Sequence, residues 1–353
     1  MRIALISCNS IRYMPYLSLY SELIEKTGNS YIIITEHELN MVNNPLHFVY
    51  NGKCGGGILN KIENYLKWRS FVIKTLKEQK VERIVFFTNW PPIKLLDQCI
   101  TRWRNKYIFD LRDFSIESKR WARIVEKMII RNSIATVISS KGFLTWLPPI
   151  KEYKIAHNMP TRYVIHSKCK SFQKEVVTIG YVGMLNYFQQ NKRIVDATNG
   201  TKYRLVYAGS AVKSCTLEQY CVDKNYRHVT FSGAFENSEK EKLYDGIDLI
   251  NAVYGNETEI VRHAIPNKLY DCLIYKIPIL ANKGTYLGEL VVKSGVGIAI
   301  DTMDGDFVNC IDSYIRGFNR NCFEKSCEGL LRTFRNEQDM CKKSIIKALD
   351  LLN

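Results

Sequence analysis

Residues 265 to 281 read Ile265-Pro266-Asn267-Lys268-Leu269-Tyr270-Asp271-Cys272-Leu273-Ile274-Tyr275-Lys276-Ile277-Pro278-Ile279-Leu280-Ala281. This pattern predicts a loop, a helix begun near Pro266-Asn267, and a buried strand led in by Pro278. Lys268 and Asp271 stand three apart, so they share one face of the first helical turn. A cation and helix N-terminal amides suit phosphate oxygens there, and a carboxylate can accept both hydroxyls of a ribose. The same pair also suits a plain helix start, with Asp271 answering the helix dipole and Lys268 solvated.

On either side of this stretch, short β-branched runs alternate with longer helical patterns, as in parallel sheets with helical crossovers. Predicted strands in the first half are residues 2–7, 31–35, 83–88, 106–111 and 135–139. In the second half they are residues 177–183, 204–208, 229–232, 248–252, 277–281 and 297–300. Two such series mean two Rossmann-like, doubly wound α/β domains facing a cleft, with ligands at the carboxyl ends of the strands. The expected division is a domain over 1–165, a polar lysine-bearing linker over 166–176, a second domain over 177–335, and a terminal amphipathic helix over 336–353 that crosses back to the first domain.

The chain has 353 residues, 46% of them hydrophobic and 24% charged, which excludes intrinsic disorder. Its net charge of +15 is uneven: residues 1–175 carry 28 basic and 14 acidic side chains, and residues 176–353 carry 22 and 21. The first half therefore faces something anionic: nucleic acid, a phosphorylated substrate or an acidic membrane. Three basic segments there, residues 61–80, 94–106 and 119–131, hold interfacial aromatics such as Tyr65, Trp68, Trp103 and Trp121, a composition suited to anionic lipid headgroups and also to ordinary core-facing helices. No nucleic-acid motif is visible, so no nucleic-acid partner is expected.

Eleven cysteines form no Cys-x-x-Cys and no zinc spacing, as expected of reduced thiols in a cytoplasmic protein. No secretory signal and no apolar run of membrane-spanning length is present. Gly55-Gly56-Gly57 lacks a following Lys-Ser/Thr, and no glycine fingerprint follows the first strand, so kinase, ATPase and NAD-dehydrogenase readings lose their support.

The run Pro266-Asn267-Lys268-Leu269-Tyr270-Asp271, followed by Pro278-Ile279-Leu280-Ala281, resembles the nucleotide-sugar signature of GT-B glycosyltransferases, specifically the family-4 group. Ile179-Gly180-Tyr181-Val182-Gly183 with Lys192 downstream, Tyr207-Ala208-Gly209, Val229–Gly233 and Leu243–Asp248 resemble the family's other donor-domain landmarks in order. Phe109–Asp113, Ala135–Ser140 and His157-Asn158 resemble those of its acceptor domain. The resemblance implies a GT-B fold, with Gly183, Met184, Lys192, Gly209, Pro266, Asn267, Lys268, Leu269 and Asp271 around a nucleotide-diphosphate sugar. Ser10, Arg12, Tyr13 and Arg112 are expected at the acceptor. This sequence differs from the family pattern at His263, where a glutamate is usual, at Met184, where a basic residue is usual, and at Lys276-Ile277-Pro278, which replaces Gly-x-Pro.

Asp110 and Asp113 close a predicted strand, where a carboxylate can serve as general base on an acceptor hydroxyl; Asp113 could equally cap the next helix or pair with Arg112 or Arg120. His263 precedes the donor helix and is the third catalytic candidate, with Glu259 four residues before it. The expected activity is sugar transfer from a nucleotide-diphosphate sugar to a lipid-linked saccharide in cell-surface polysaccharide or lipopolysaccharide assembly. The enzyme is expected to be cytoplasmic and peripheral on the inner face of the membrane. No metal or other cofactor is expected. A sugar-nucleotide epimerase and a catalytically silent membrane subunit are the alternatives.

Overall fold

The computed structural model describes residues 1–11, 14, 16–36, 45–52, 57–113, 119–159, 172, 175–210 and 216–351. Two compact units divide the chain: Met1–Thr161 together with Arg335–Asn353, and Arg162–Phe334. The expected linker over 166–176 lies, apart from residues 172, 175 and 176, outside the described residues.

In the first unit β1 (Arg2–Ile6), α1 (Leu17–Lys26), β2 (Ser30–Glu36) and β3 (His47–Tyr50) lead through α2 (Ile58–Glu78) to β4 (Arg83–Phe87). The series continues with α3 (Trp90–Lys94), α4 (Leu96–Ile100), β5 (Tyr107–Leu111), α5 (Arg120–Asn132), β6 (Ala135–Ile138) and β7 (Tyr153–Ile155). The strands lie in the order β3-β2-β1-β4-β5-β6-β7, all parallel. Ile3 to Ile6 and Ile84 to Phe87 are fully buried, because central parallel strands are covered on both faces and must be apolar throughout. β3 and β7 escape the sequence reading because four and three half-buried residues at a sheet edge show no period.

The second unit repeats the plan with β8 (Val177–Val182), α6 (Phe188–Thr198), β9 (Tyr203–Ala208), α7 (Leu217–Asp223), β10 (Val229–Gly233), α8 (Lys240–Asp245) and β11 (Leu249–Ala252). There follow α9 (Glu259–His263), α10 (Asn267–Tyr275), β12 (Ile279–Asn282), α11 (Tyr286–Ser294), β13 (Gly297–Ile300) and α12 (Phe307–Arg316). This sheet is also parallel, in the order β10-β9-β8-β11-β12-β13. Strand order reverses direction between β1 and β4 in one unit and between β8 and β11 in the other, the places where such sheets open to ligands.

The terminal helix expected from residue 336 begins earlier: α13 spans Arg320–Ala348. Buried Phe323, Cys327, Leu330, Leu331 and Phe334 extend its apolar stripe upstream, so nothing interrupts it. Its second half belongs to the first unit, where Cys341 and Ile345, with Leu349 beyond the helix, pack among Ile3, Leu5, Tyr20 and Ile24. Beside them Glu337 accepts from Nε2 of His157 at 2.8 Å and pairs with Lys141, while Gln338 Oε1 accepts from the His157 backbone N–H at 2.8 Å.

Ile345→Ala should lower stability by about 2–5 kcal/mol, read by denaturant unfolding. Burial lowers the His157 pKa, and His157 and Lys141 lower that of Glu337. Both groups thus contribute stability that is present above their unfolded values and lost as pH falls through their folded ones. Melting temperature should fall as pH drops below about 6.5, where unfolded histidine titrates, and His157→Gln should flatten the upper part of that decline.

Candidate functional site

At the carboxyl edge of the second sheet, β8 runs into Gly183 and β9 into Gly209, with φ of +136° and +142°. A Cβ on Gly209 would stand 1.8 Å from the carbonyl oxygen of Gly183, so glycine is the residue that lets these two strand ends touch. Beside them α10 begins. Pro266 precedes it without a side-chain cap, which leaves the first-turn amides free of one.

Lys268, in that first turn, is 5% exposed. Its Nζ donates to the Tyr254 hydroxyl at 3.0 Å, sits 3.2 Å from the centroid of the Tyr181 ring and 4.9 Å from that of Tyr254. It would lie 3.8 Å from a Cβ placed on Gly183. Burial pushes this ammonium well below the usual lysine range; Lys240 adds to the shift and Asp271 opposes it. Ring faces and a phenol compensate a desolvated charge only in part. Among the described residues Lys268 forms no salt bridge, and it stands next to two glycine strand ends and a helix N-terminus, an arrangement that suits phosphate oxygens.

Asp271 is buried one turn further on. Lys240 Nζ donates to Oδ1 at 2.8 Å, and the Tyr244 hydroxyl donates to Oδ2 at 2.8 Å. Tyr244 in turn stacks on Tyr275, ring centroids 4.6 Å apart. A carboxylate offers about four lone-pair sites, so Asp271 retains capacity for the two hydroxyls of a ribose. Leu269 is fully buried, Pro266 half-buried and Asn267 exposed. Met184 is exposed, its carbonyl accepting from the Tyr181 hydroxyl at 2.9 Å.

Lys192 stands apart from this group. It bonds Asp196 at 2.7 Å and lies over the Tyr220 ring, partners it does not share with Lys268 or Asp271 among the described residues. His263 and Glu259 form one unit on α9, Nε2 to Oε2 at 3.0 Å, with Glu259 also held by Arg262 at 2.8 Å.

The sequence reading missed a polar network at the ends of β11, β12 and β13. Gln190 donates to Glu257 at 2.6 Å and accepts from Thr302 at 2.6 Å; the Gly255 amide donates to Asn282 at 2.6 Å, and Asn251 donates to Asn191 at 3.0 Å. Its one sequence signal is the polar loop Gly255-Asn256-Glu257-Thr258 directly after a buried strand.

In the first unit two residues expected at the site, Asp110 as a catalytic carboxylate and Arg112 at the acceptor, are enclosed by the protein. Asp110 is fully buried and Arg112 nearly so. Arg112 grips both oxygens of Asp110 at 2.6 Å, Tyr20 donates to the same carboxylate at 2.7 Å, and the guanidinium also donates to the Ala156 carbonyl and to Asn158, each at 3.0 Å. A closed pair of this kind orders the strand ends and presents neither residue to a substrate. Asp113, next on the loop, reaches the surface, and the protein around it raises its pKa against the pull of Arg112. Ser10 is half-buried, and Arg12 and Tyr13 lie outside the described residues. Thr88, at the end of β4, is a β-branched residue at φ +63°, strain of about 1–3 kcal/mol.

No family model matches the sequence, and no curated protein matches it. Solved structures do. Anabaena HepE in complex with UDP superposes with a TM-score of 0.67 at 14% identity, over 99% of this chain and 100% of that one. The lipopolysaccharide outer core galactosyltransferase WaaB gives 0.65 at 15% over 99% of both chains. Sucrose-phosphate synthase from Thermosynechococcus elongatus gives 0.66 at 13%, over 99% of this chain and 96% of that one. The fold is GT-B. Lys268 lies in the C-terminal Rossmann-like unit, the half that the sequence resemblance assigned to the donor.

Gly209→Ala should destabilise by about 2–4 kcal/mol, since both the backbone angle and the Gly183 oxygen oppose a methyl. Lys268→Met should leave the ligand-free protein as stable as wild type or more so, because it removes a buried charge. A fall in melting temperature for Lys268→Met would show that the ammonium already has a sufficient partner.

Proposed function

We propose that this protein is a glycosyltransferase moving a sugar from a nucleotide-diphosphate sugar to a saccharide hydroxyl. The acceptor in this reading is lipid-linked, in cell-surface polysaccharide or lipopolysaccharide assembly, and the enzyme is peripheral on the inner face of the cytoplasmic membrane. The observation that carries it is the buried Lys268 ammonium, short of negative charge, at a helix N-terminus and against two glycine strand ends. A diphosphate supplies the missing charge. Two of the structural relatives support the direction: HepE is a complex with UDP, and WaaB is a galactosyltransferase of the lipopolysaccharide outer core.

In the reaction, the acceptor oxygen bonds to the sugar's anomeric carbon. The bond from that carbon to the diphosphate breaks, the diphosphate leaves with the electron pair, and the acceptor hydroxyl loses its proton. Lys268 and the α10 amides neutralise the leaving group, and Asp271 holds the ribose while Lys240 and Tyr244 hold Asp271. Asp113, the exposed carboxylate that follows β5, is our assignment for receiving the acceptor proton, and the His263–Glu259 pair for contacting the donor sugar. The leaving group is neutralised by lysine and amide groups, so the reading calls for no metal, and turnover should survive EDTA.

The test is a thermal-shift panel of UDP, GDP, ADP, CMP and their sugar conjugates. Ligand at about 100 times its dissociation constant adds about 2.7 kcal/mol. One nucleotide should raise the melting temperature of wild type by several degrees and have no effect on Asp271→Ala or Lys268→Met. A flat panel in folded wild-type protein would sink the assignment.

A further inference from the structure

In the first unit, the crossovers α2, α3–α4 and α5 all carry the chain in the same direction across the sheet, so right-handed connections set them on one face. They pack as a layer: Arg69 of α2 bonds the Lys94 carbonyl at 3.1 Å and pairs with Asp97 of α4, and α4 packs on α5. Helices between parallel strands begin at the strands' carboxyl end. The starts of α2, α3 and α5 therefore share one end of that layer.

All three starts carry bare apolar side chains. On α2, Trp68, Val72 and Leu76 pack inward, but Ile58, Leu59, Ile62 and Leu66 upstream of them are 51–78% exposed. Trp90 opens α3 at 45% exposed. On α5, Trp121, Ile124 and Met128 lie at i, i+3 and i+7, exposed by 48%, 64% and 37%. Beside that stripe runs a second one of Arg120, Arg123, Lys127 and Arg131, all exposed, while the helix's one acid, Glu126, is buried. Among the described residues Arg120, Lys127 and Arg131 form no salt bridge.

We propose that this end of the α2–α3–α5 layer is a docking surface for an anionic lipid bilayer, Ile58, Leu59, Ile62, Trp90, Trp121 and Ile124 entering the interface while the α5 cations meet headgroup phosphates. An apolar stripe flanked by cations lies in the plane of such a surface. Its charge complements an anionic leaflet, and the basic excess of the chain is confined to the half that carries it. Among the described residues no helix is long and apolar enough to cross a membrane, so contact of this kind is in-plane. The proposal deepens the transferase reading by naming the surface that carries its acceptor, and rests on that reading for the acceptor alone.

The test is co-sedimentation of the full chain with vesicles of phosphatidylcholine containing about 30% phosphatidylglycerol, against phosphatidylcholine alone. Wild type should pellet with the anionic vesicles only, and less at high salt. Arg120→Ser/Lys127→Ser/Arg131→Ser should weaken binding about a hundredfold, near the loss of three headgroup contacts. Ile58→Ser/Leu59→Ser/Ile124→Ser should weaken it at least tenfold, and Lys224→Ser/Lys293→Ser, in the second unit, should bind as wild type does. The proposal is overturned if wild type ignores anionic vesicles, if both first-unit variants bind unchanged, or if wild type is a dimer that the Ile58→Ser/Leu59→Ser/Ile124→Ser variant separates. Nucleotide thermal shifts on the same proteins keep the two ideas apart. Vesicle binding without a nucleotide response removes the transferase reading and leaves the surface, and the reverse removes the surface and the peripheral placement while leaving sugar transfer.

Discussion

The second unit is organised around a buried ammonium that its surroundings satisfy only in part. Lys268 lies in a layer of tyrosine rings, with a phenol oxygen as its one hydrogen-bond acceptor among the described residues. For it to reach that position, β8 and β9 must end in glycines whose backbones touch, and α10 must start without a side-chain cap. Asp271, the nearest counter-charge, is already engaged with Lys240 and Tyr244. Stability alone does not favour such an arrangement, since an apolar side chain would fill the space at lower cost. Under the proposed function, a bound diphosphate is the group that offsets this charge.

The first unit uses buried charge in the opposite way. Asp110 and Arg112 lie at the ends of its strands, but here the guanidinium meets a carboxylate, a backbone carbonyl and an asparagine, and the carboxylate meets a tyrosine hydroxyl. Every strong partner is internal, so the pair orders the loop from which Asp113 emerges. The buried charges of the two units thus differ: Arg112 is paired with a carboxylate, and Lys268 forms no salt bridge among the described residues.

The long helix α13 ties the two series together along the chain. Its first half carries Phe323, Cys327 and Phe334 in the second unit, and its second half supplies Cys341 and Ile345 to the core of the first. The His157–Glu337 contact lies where that second half meets the end of β7, so the histidine that resembled an acceptor landmark packs against the terminal helix.

Much of this was legible in the sequence, for definite physical reasons. Parallel strands buried on both faces must be continuous apolar runs, so β1, β4, β5, β8, β11 and β12 were read within a residue or two. Pro266 through Asp271 announced a helix start with a cation and an acid on one face. The edge strands β3 and β7 were not legible, being too short to show a period. Nor did sequence distinguish Asp110, enclosed by Arg112, from Asp113 three residues later, or show that Lys192 turns to Asp196 while Lys268 is caged by Tyr181 and Tyr254. The burial of Lys268 depends on Tyr254, 14 positions away, and the enclosure of Asp110 on Tyr20, 90 positions away. Local pattern determines which residues a strand or helix presents, and only the packed structure decides which of them remain without a partner.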